Sequence, residues 1–204
     1  MVEFASEAIH PPWGSVASVQ GAKALYTIGS ETASARETFE GMRSRNVVTA
    51  VDVDFAEIDS DAALRDLLRV TTILFCNGET ARSLSSKRSA IDSARSLSTL
   101  GPRAVVVTLG SQGALVFDRE RGSATAQGHA VDVVDSTGAG DCFAGSFLFA
   151  WIRAWPLAAA LEIANAMAAI STTAYGCQAG VPTSEELLAS PLARDAAFRS
   201  LLAA

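Results

Sequence analysis

The stretch of this chain best suited to chemistry runs Val133-Val134-Asp135-Ser136-Thr137-Gly138-Ala139-Gly140-Asp141-Cys142-Phe143. A β-like run is followed there by small residues and then by the start of a helical pattern. With no bulky side chains in the way, the backbone N–H groups of Gly138, Ala139, Gly140 and Asp141 can converge on an anion, helped by the positive end of the helix dipole. An acid in such a nest would repel a bound phosphate unless it has a task there. Accepting the proton of an attacking hydroxyl is one such task, and Asp141 is placed for it. The same spacing also suits a plain strand-to-helix turn in which Asp141 is only an early-helix acid favoured by the dipole, so this stretch alone leaves both readings open. Two other phosphate motifs fit worse. A dinucleotide G-x-G-x-x-G fails at Phe143, and the chain contains no Gly-Lys-Ser or Gly-Lys-Thr of a P-loop.

Such a nest needs a scaffold to hold it. Apolar runs rich in β-branched residues recur at Lys23–Ile28, Asn46–Val53, Val70–Phe75 and Arg103–Leu109, and read as strands buried on both faces. Helical patterns lie between them. Ala35, Phe39 and Met42 share one face of a helix over Glu31–Arg45; Ser60 can cap a helix carrying Leu64, Leu67 and Leu68; a third runs through Ile91, Ala94 and Leu97. Strand and helix alternating at this spacing predict right-handed crossovers and a doubly wound, mostly parallel α/β sheet with helices on both faces. After Leu109 the rhythm changes. Gly110-Ser111-Gln112-Gly113 predicts a tight turn, Ala114–Asp118 a strand, and Ala130–Val134 a second short β-like run at an antiparallel edge. Helices are expected from Ala139 to Arg153, from Pro156, and from Thr183, where Thr183 and Glu186 have capping-box spacing. Residues 1–204 read as one domain.

Composition narrows the partners. A chain of 204 residues, 49% hydrophobic, can bury a substantial core, and its net charge of −6 with scattered Arg and Lys gives no footprint for a nucleic-acid backbone or an anionic membrane. Its uncharged apolar stretches fall short of the roughly 20 residues that span a bilayer, and its start lacks a basic segment before an apolar one. Cys76, Cys142 and Cys177 are odd in number and far apart, which predicts neither a disulfide framework nor a metal clip and points to the cytosol. His10 and His129 read as surface or loop residues, too few for a zinc site.

Asp135-Ser136-Thr137-Gly138-Ala139-Gly140-Asp141 resembles the D-[ST]-T-G-A-G-D signature of ribokinase-like (pfkB-type) carbohydrate kinases. The likeness extends upstream to Val105–Ala114, similar to the family's T-x-G-x-x-G nucleotide segment, and downstream to Ala164–Ala169 and Gly176–Pro182; it begins near Trp13. The resemblance implies a ribokinase-like fold and transfer of the γ-phosphoryl group of ATP, with Mg2+, to a hydroxyl of a small molecule such as a sugar. In that reading Asp141 is the base, and Gly138, Ala139 and Gly140 build the anion hole. Thr108, Gly110 and Gly113 border the phosphates and ribose, and Asn165 lies by the adenine unless it is merely a helix amide facing solvent. Asp135–Thr137 and Gly176–Gly180 resemble a site for a monovalent cation such as K+.

Two departures stand out. The family's N-x-x-E element, which organises magnesium and phosphate, would start at Asn77 and put its acid at Thr80; Glu79 comes one residue early, a rotation of about 100° on a helix. The chain also begins where family members have completed their first strands and substrate lid, which leads us to expect an open sheet edge, self-association as a homo-oligomer, and little activity from the chain alone. The alternative from another class is a nucleotide-binding or assembly module without turnover.

Overall fold

In the computed structural model, residues 21–29, 32–54, 61–192 and 199 are described; Ser60, His10 and the start of the family likeness at Trp13 lie outside them. The chain divides into two units, residues 1–108 with 116–123 and residues 109–115 with 124–204.

The first unit alternates strand and helix: β1 (Ala24–Ile28), α1 (Thr32–Arg43), β2 (Val48–Val53), α2 (Asp61–Arg69), β3 (Ile73–Asn77), α3 (Gly78–Ser85), α4 (Ala90–Ser98) and β4 (Ala104–Thr108). These four strands pair in parallel, with Ala50 opposite Ile73 and Ile73 opposite Ala104. With β5 (Ala114–Asp118) and β6 (Gly122–Ala126) the sheet runs in the order β1-β2-β3-β4-β5-β6. The links from β4 to β5 and from β5 to β6 are too short for a crossover, so these edge strands reverse direction. Successive residues of a strand point to opposite faces, and Val105, Val106 and Val107 are all fully buried, so both faces of β4 are covered. The class is the expected mostly parallel α/β.

The helices settle as their apolar spacing dictates. Ala35, Phe39 and Met42 are buried on α1, Leu64, Leu67 and Leu68 on α2, and Ala94 and Leu97 on α4. Ser89 caps α4 by accepting from the Asp92 N–H at 3.1 Å. The third strand begins later than Val70 because Val70 and Thr71 still donate backward to the Leu67 and Leu68 carbonyls, closing α2. The helix that carries Glu79, α3, follows β3 directly. Its signal was Asn77, whose side chain accepts from the Thr80 N–H at 2.8 Å and so starts a helix directly at the strand end.

A buried charge cluster ties β4 to β5. The Asp118 carboxylate, with no solvent exposure, receives Arg121 Nε at 2.7 Å, the Glu120 N–H at 2.8 Å, and Arg103 Nε and Nη2 each at 3.3 Å. Burial is the largest single influence and pushes the carboxyl upward; the bonds from Arg121, Glu120 and Arg103 together outweigh it and hold Asp118 below its ordinary value. Asp118→Ala removes the partner that Arg103 and Arg121 share; because both guanidinium groups reach solvent and Arg103 keeps Glu120 at 2.9 Å, the expected cost is about 1–3 kcal/mol, read by urea unfolding at pH 7. Because the folded value is lowered, this stabilisation is present at neutral pH and is lost as pH falls through the folded value, so the gap between wild type and variant should close in acid.

The second unit holds a 3₁₀ turn at Gly110–Gln112, then α5 (Ala139–Ile152), α6 (Leu157–Ser171) and α7 (Ser184–Ala189). Helices α5 and α6 pack together. Phe143, Phe147 and Trp151 of α5 form a ladder with ring centroids 6.4 and 5.9 Å apart, and small residues of α6, including Ala160, Ala164 and Ala166, are buried. Thr183 and Glu186 make the full reciprocal capping box that opens α7. One expected element is absent: residues 130–134 form no strand, and the strand following β5 is β6 at Gly122–Ala126. Val133 and Val134 are 63% and 44% exposed, and the Val134 and Asp135 N–H groups both donate to the Thr172 carbonyl, at 2.8 and 3.1 Å. A β-branched run whose backbone bonds are taken by a loop carbonyl does not join a sheet. Among the described residues no helix is long and apolar enough to cross a membrane.

Candidate active site

The nest of small residues takes shape from a left-handed residue. Gly138 stands at the N-cap of α5 with φ 79° and ψ 0°, and no side chain caps the helix there. A side chain at that position would be strained by the dihedral, and its Cβ would also fall 2.7 Å from the Cys177 Cβ. Gly138 is therefore required twice over. The Cys142 N–H makes the first helical bond, to the Gly138 carbonyl at 2.9 Å, and the Ala139 N–H turns back to Ser136 at 3.2 Å. Gly140 differs: its φ is not left-handed, and a Cβ there would meet nothing within 4 Å. Open space thus lies over the first turn of an uncapped helix, where backbone N–H groups have no intrahelical acceptor. Asp141 is exposed in that turn.

Asp135 braces the approach to the nest. Its Oδ1 accepts the Thr137 N–H at 2.9 Å and its Oδ2 accepts the Gly176 N–H at 3.0 Å, fastening the loop before α5 to the loop after α6. The Thr137 N–H, then the Thr137 hydroxyl and the Gly176 N–H, hold this carboxyl below its ordinary value. Asp135→Asn offers one acceptor oxygen and a donor in place of the second, so exchange of the Thr137 and Gly176 amide hydrogens is expected to accelerate. Acid below the ordinary carboxylate range should produce the same loosening in the unsubstituted chain, since a lowered value means the tie is lost as pH falls through it.

The nucleotide-segment candidates form a second group. Gly110 starts the 3₁₀ turn, and the Leu109 N–H closes it onto the Gly113 carbonyl at 2.8 Å. Gly113 is buried so closely under the chain that a Cβ would lie 2.1 Å from the Ala126 carbonyl oxygen. Asn165, on α6, is only 7% exposed, and its Nδ2 donates to the Ala126 and Gln127 carbonyls at 3.3 and 3.1 Å. It does not face solvent; it fastens the segment that backs the turn.

Thr108 and Asn77 close β4 and β3 and sit opposite one another in the register, at the carboxyl ends of parallel strands where ligands of open α/β sheets gather. Asn77 spends its side-chain oxygen on capping α3. Glu79 is exposed in the first turn of that helix, whereas Thr80, at the position of the family acid, is buried. The three cysteines are free, Cys76 and Cys142 buried and Cys177 exposed; burial first, and then the Asp52 charge, push the Cys76 thiol far up, and burial likewise raises that of Cys142.

Among the described residues no three His, Cys, Asp or Glu side chains converge on a point that could hold a metal. Mg2+ in phosphoryl-transfer sites is usually carried by substrate phosphates and water with one or two carboxylates. Asp135 keeps lone pairs beyond its two N–H bonds and can also ligate a cation.

Over 135 residues the chain is 36% identical to an aminoimidazole riboside kinase of Salmonella typhimurium, covering 64% of this chain and 40% of that one. Over 105 residues it is 34% identical to a ribokinase of Haemophilus influenzae, covering 52% and 34%. The chain thus spans well under half the length of these curated relatives. Its fold matches that of an Arabidopsis thaliana ribokinase solved with ribose and ATP, at TM-score 0.76 and 22% identity over 86% of this chain and 57% of the other. It also matches a Salmonella enterica aminoimidazole riboside kinase solved with aminoimidazole riboside and an ATP analogue, at TM-score 0.72 and 26% identity over 85% and 63%. The sequence profile of the pfkB family carbohydrate kinases covers residues 7–184, and the chain belongs to that family.

Proposed function

We propose that the chain carries the phosphoryl-transfer site of an ATP-dependent kinase whose acceptor is a hydroxyl of a sugar or sugar-like small molecule. The observation that carries this reading is Asp141 in the first turn of an uncapped helix, behind a left-handed Gly138 and beside the open space over Gly140. Asp141 accepts the proton of the attacking hydroxyl as that oxygen approaches the γ-phosphorus. Backbone amides at this helix start are the candidates to meet the charge that develops on the transferred group; the Ala139 N–H is given to the Ser136 carbonyl. Positioning and fixed dipoles supply most of the acceleration such a transfer needs. Mg2+, when bound with the nucleotide, neutralises phosphate charge; Glu79 is the candidate acid for it, with Asn77 beside it. Asp135 and Thr137 are the candidates for a monovalent cation such as K+. The Thr108–Gly113 segment is assigned to the nucleotide, with Asn165 supporting it from behind. The acceptor class is supported by relatives named as ribokinase, aminoimidazole riboside kinase, deoxyribokinase and cytidine kinase.

A second reading, a module that holds nucleotide without turnover, is favoured by one observation: Thr80 is buried where the family acid would stand. Measuring ADP release against a panel of pentoses, hexoses and nucleosides separates the two. Acceptor-dependent release supports the kinase; saturable nucleotide binding with no acceptor-dependent release from any of the panel supports the module.

A further inference from the structure

Where α3 gives way to α4, the first unit holds a cavity of about 510 Å³ lined by Lys87, Arg88, Asp92, Arg95, Ser96 and Thr99. None of these residues belongs to the site proposed above. Two local rules shape the corner. Ser86 ends α3 in a left-handed conformation (φ 56°, ψ 24°) with its N–H donating to the Arg82 carbonyl, and Ser89 then caps α4. Lys87 and Arg88 are left on the short exposed connector between them. Asp92, Arg95, Ser96 and Thr99 recur at i, i+3, i+4 and i+7 and so share one face of α4, opposite the face that buries Ser93, Ala94, Leu97 and Ser98.

The lining is short of negative charge, in a chain whose net charge is −6. Three cationic side chains meet one carboxylate, and Asp92 Oδ2 already accepts the Ser89 hydroxyl at 2.6 Å. The Arg95 guanidinium is steadied over the Phe117 ring, 5.6 Å from its centroid. Among the described residues Lys87 and Arg88 are in no ion pair. Cations gathered with so little counter-charge repel one another, and a bound anion relieves that repulsion. With no large apolar side chain in the lining, the cavity has little to offer a hydrophobic ligand or an inserted acyl chain.

We propose that this corner is a binding site for a small soluble anion carrying two or more negative charges on phosphate-type oxygens. The cavity has the volume of small-molecule sites, so one diphosphate-sized anion can engage more than one of the three cations. The guanidinium forks of Arg88 and Arg95 match pairs of phosphate oxygens, Lys87 acts as a point charge, and the Ser96 hydroxyl adds a neutral donor.

Titration of the full chain with inorganic pyrophosphate, followed at the backbone amides of residues 87–89 and 95–99, tests this against sodium chloride raised to the same ionic strength. Exposed charge contacts are individually weak and screened by salt, so saturable shifts with a dissociation constant on the order of 1 mM are expected at low ionic strength. Reading residue by residue keeps any pyrophosphate at the start of α5 apart from that at α4. Lys87→Gln combined with Arg88→Gln alters only exposed connector side chains, so the fold should hold while binding weakens about fivefold or more. Asp92→Asn keeps an acceptor for the Ser89 hydroxyl and removes the one carboxylate, so binding should tighten about twofold. Shifts that merely match those with sodium chloride, or undiminished pyrophosphate binding at these amides in the double variant, would overturn the proposal. Vesicles of phosphatidylglycerol should leave these amides unmoved; vesicle binding in preference to pyrophosphate would overturn the assignment to a soluble anion.

Discussion

Asp141→Asn is expected to lower the turnover of the active form by about 10²–10⁴-fold while leaving nucleotide affinity nearly unchanged. The amide has almost the same shape as the carboxylate and leaves the backbone of the first turn of α5 alone, so the anion site survives; what it lacks is the capacity to accept the hydroxyl proton. Loss of one negative charge beside the phosphates should, if anything, tighten nucleotide binding slightly. An alternative role for Asp141, as an early-helix acid favoured by the dipole, predicts a different pattern: a few tenths of a kcal/mol of stability and no specific loss in kcat. Steady-state kinetics with a calorimetric titration of nucleotide distinguishes them. Wild-type kcat in the variant would remove Asp141 as the base.

Substitution of the two glycines of the nest should differ in its effect on stability. Gly138→Ala forces an L-residue into a left-handed conformation and sets its Cβ against Cys177, so we expect a stability loss of about 1–3 kcal/mol together with weaker nucleotide binding. Adding Cys177→Gly removes the clash and should recover part of the loss, leaving the dihedral strain. At Gly140 an added Cβ meets nothing within 4 Å and no unusual dihedral is needed, so Gly140→Val should keep the fold. Its branched side chain occupies the space over the nest, so nucleotide binding and turnover should fall by an order of magnitude or more if three amides there face phosphate. Urea unfolding and nucleotide titration of both variants read the two effects separately. A Gly140→Val protein that is stable and binds nucleotide as wild type does would contradict the assignment of this space to phosphate.

Much of the scaffold was legible because it rests on local rules. The faces of α1, α2 and α4 follow from apolar spacing, and the capping box at Thr183 follows from side-chain chemistry within four residues. The misjudged element shows where local rules stop. Val131, Val133 and Val134 look like a strand, but whether they join a sheet depends on where Thr172, some forty residues later, offers its carbonyl. Asn165 is similar: its place in the sequence suited either a ligand contact or solvent, and only the return of residues 126–127 alongside α6 gives its amide two carbonyl partners. The bracing role of Asp135 was equally out of reach, since one of its two bonds crosses to Gly176. The α3 start at Asn77 is local in the same way as the Thr183 capping box, an Asn cap followed by an early-helix acid.

The most direct measurement is a titration of the full chain with Mg-ATP while following the backbone amide resonances of Gly138, Gly140 and Asp141. A phosphate seated at the start of α5 predicts saturable shifts at these three amides, among the largest in the protein, and their loss in Gly140→Val. Saturable nucleotide binding that leaves all three unmoved, or no binding at millimolar nucleotide, would contradict the claim that this helix start is the phosphoryl site.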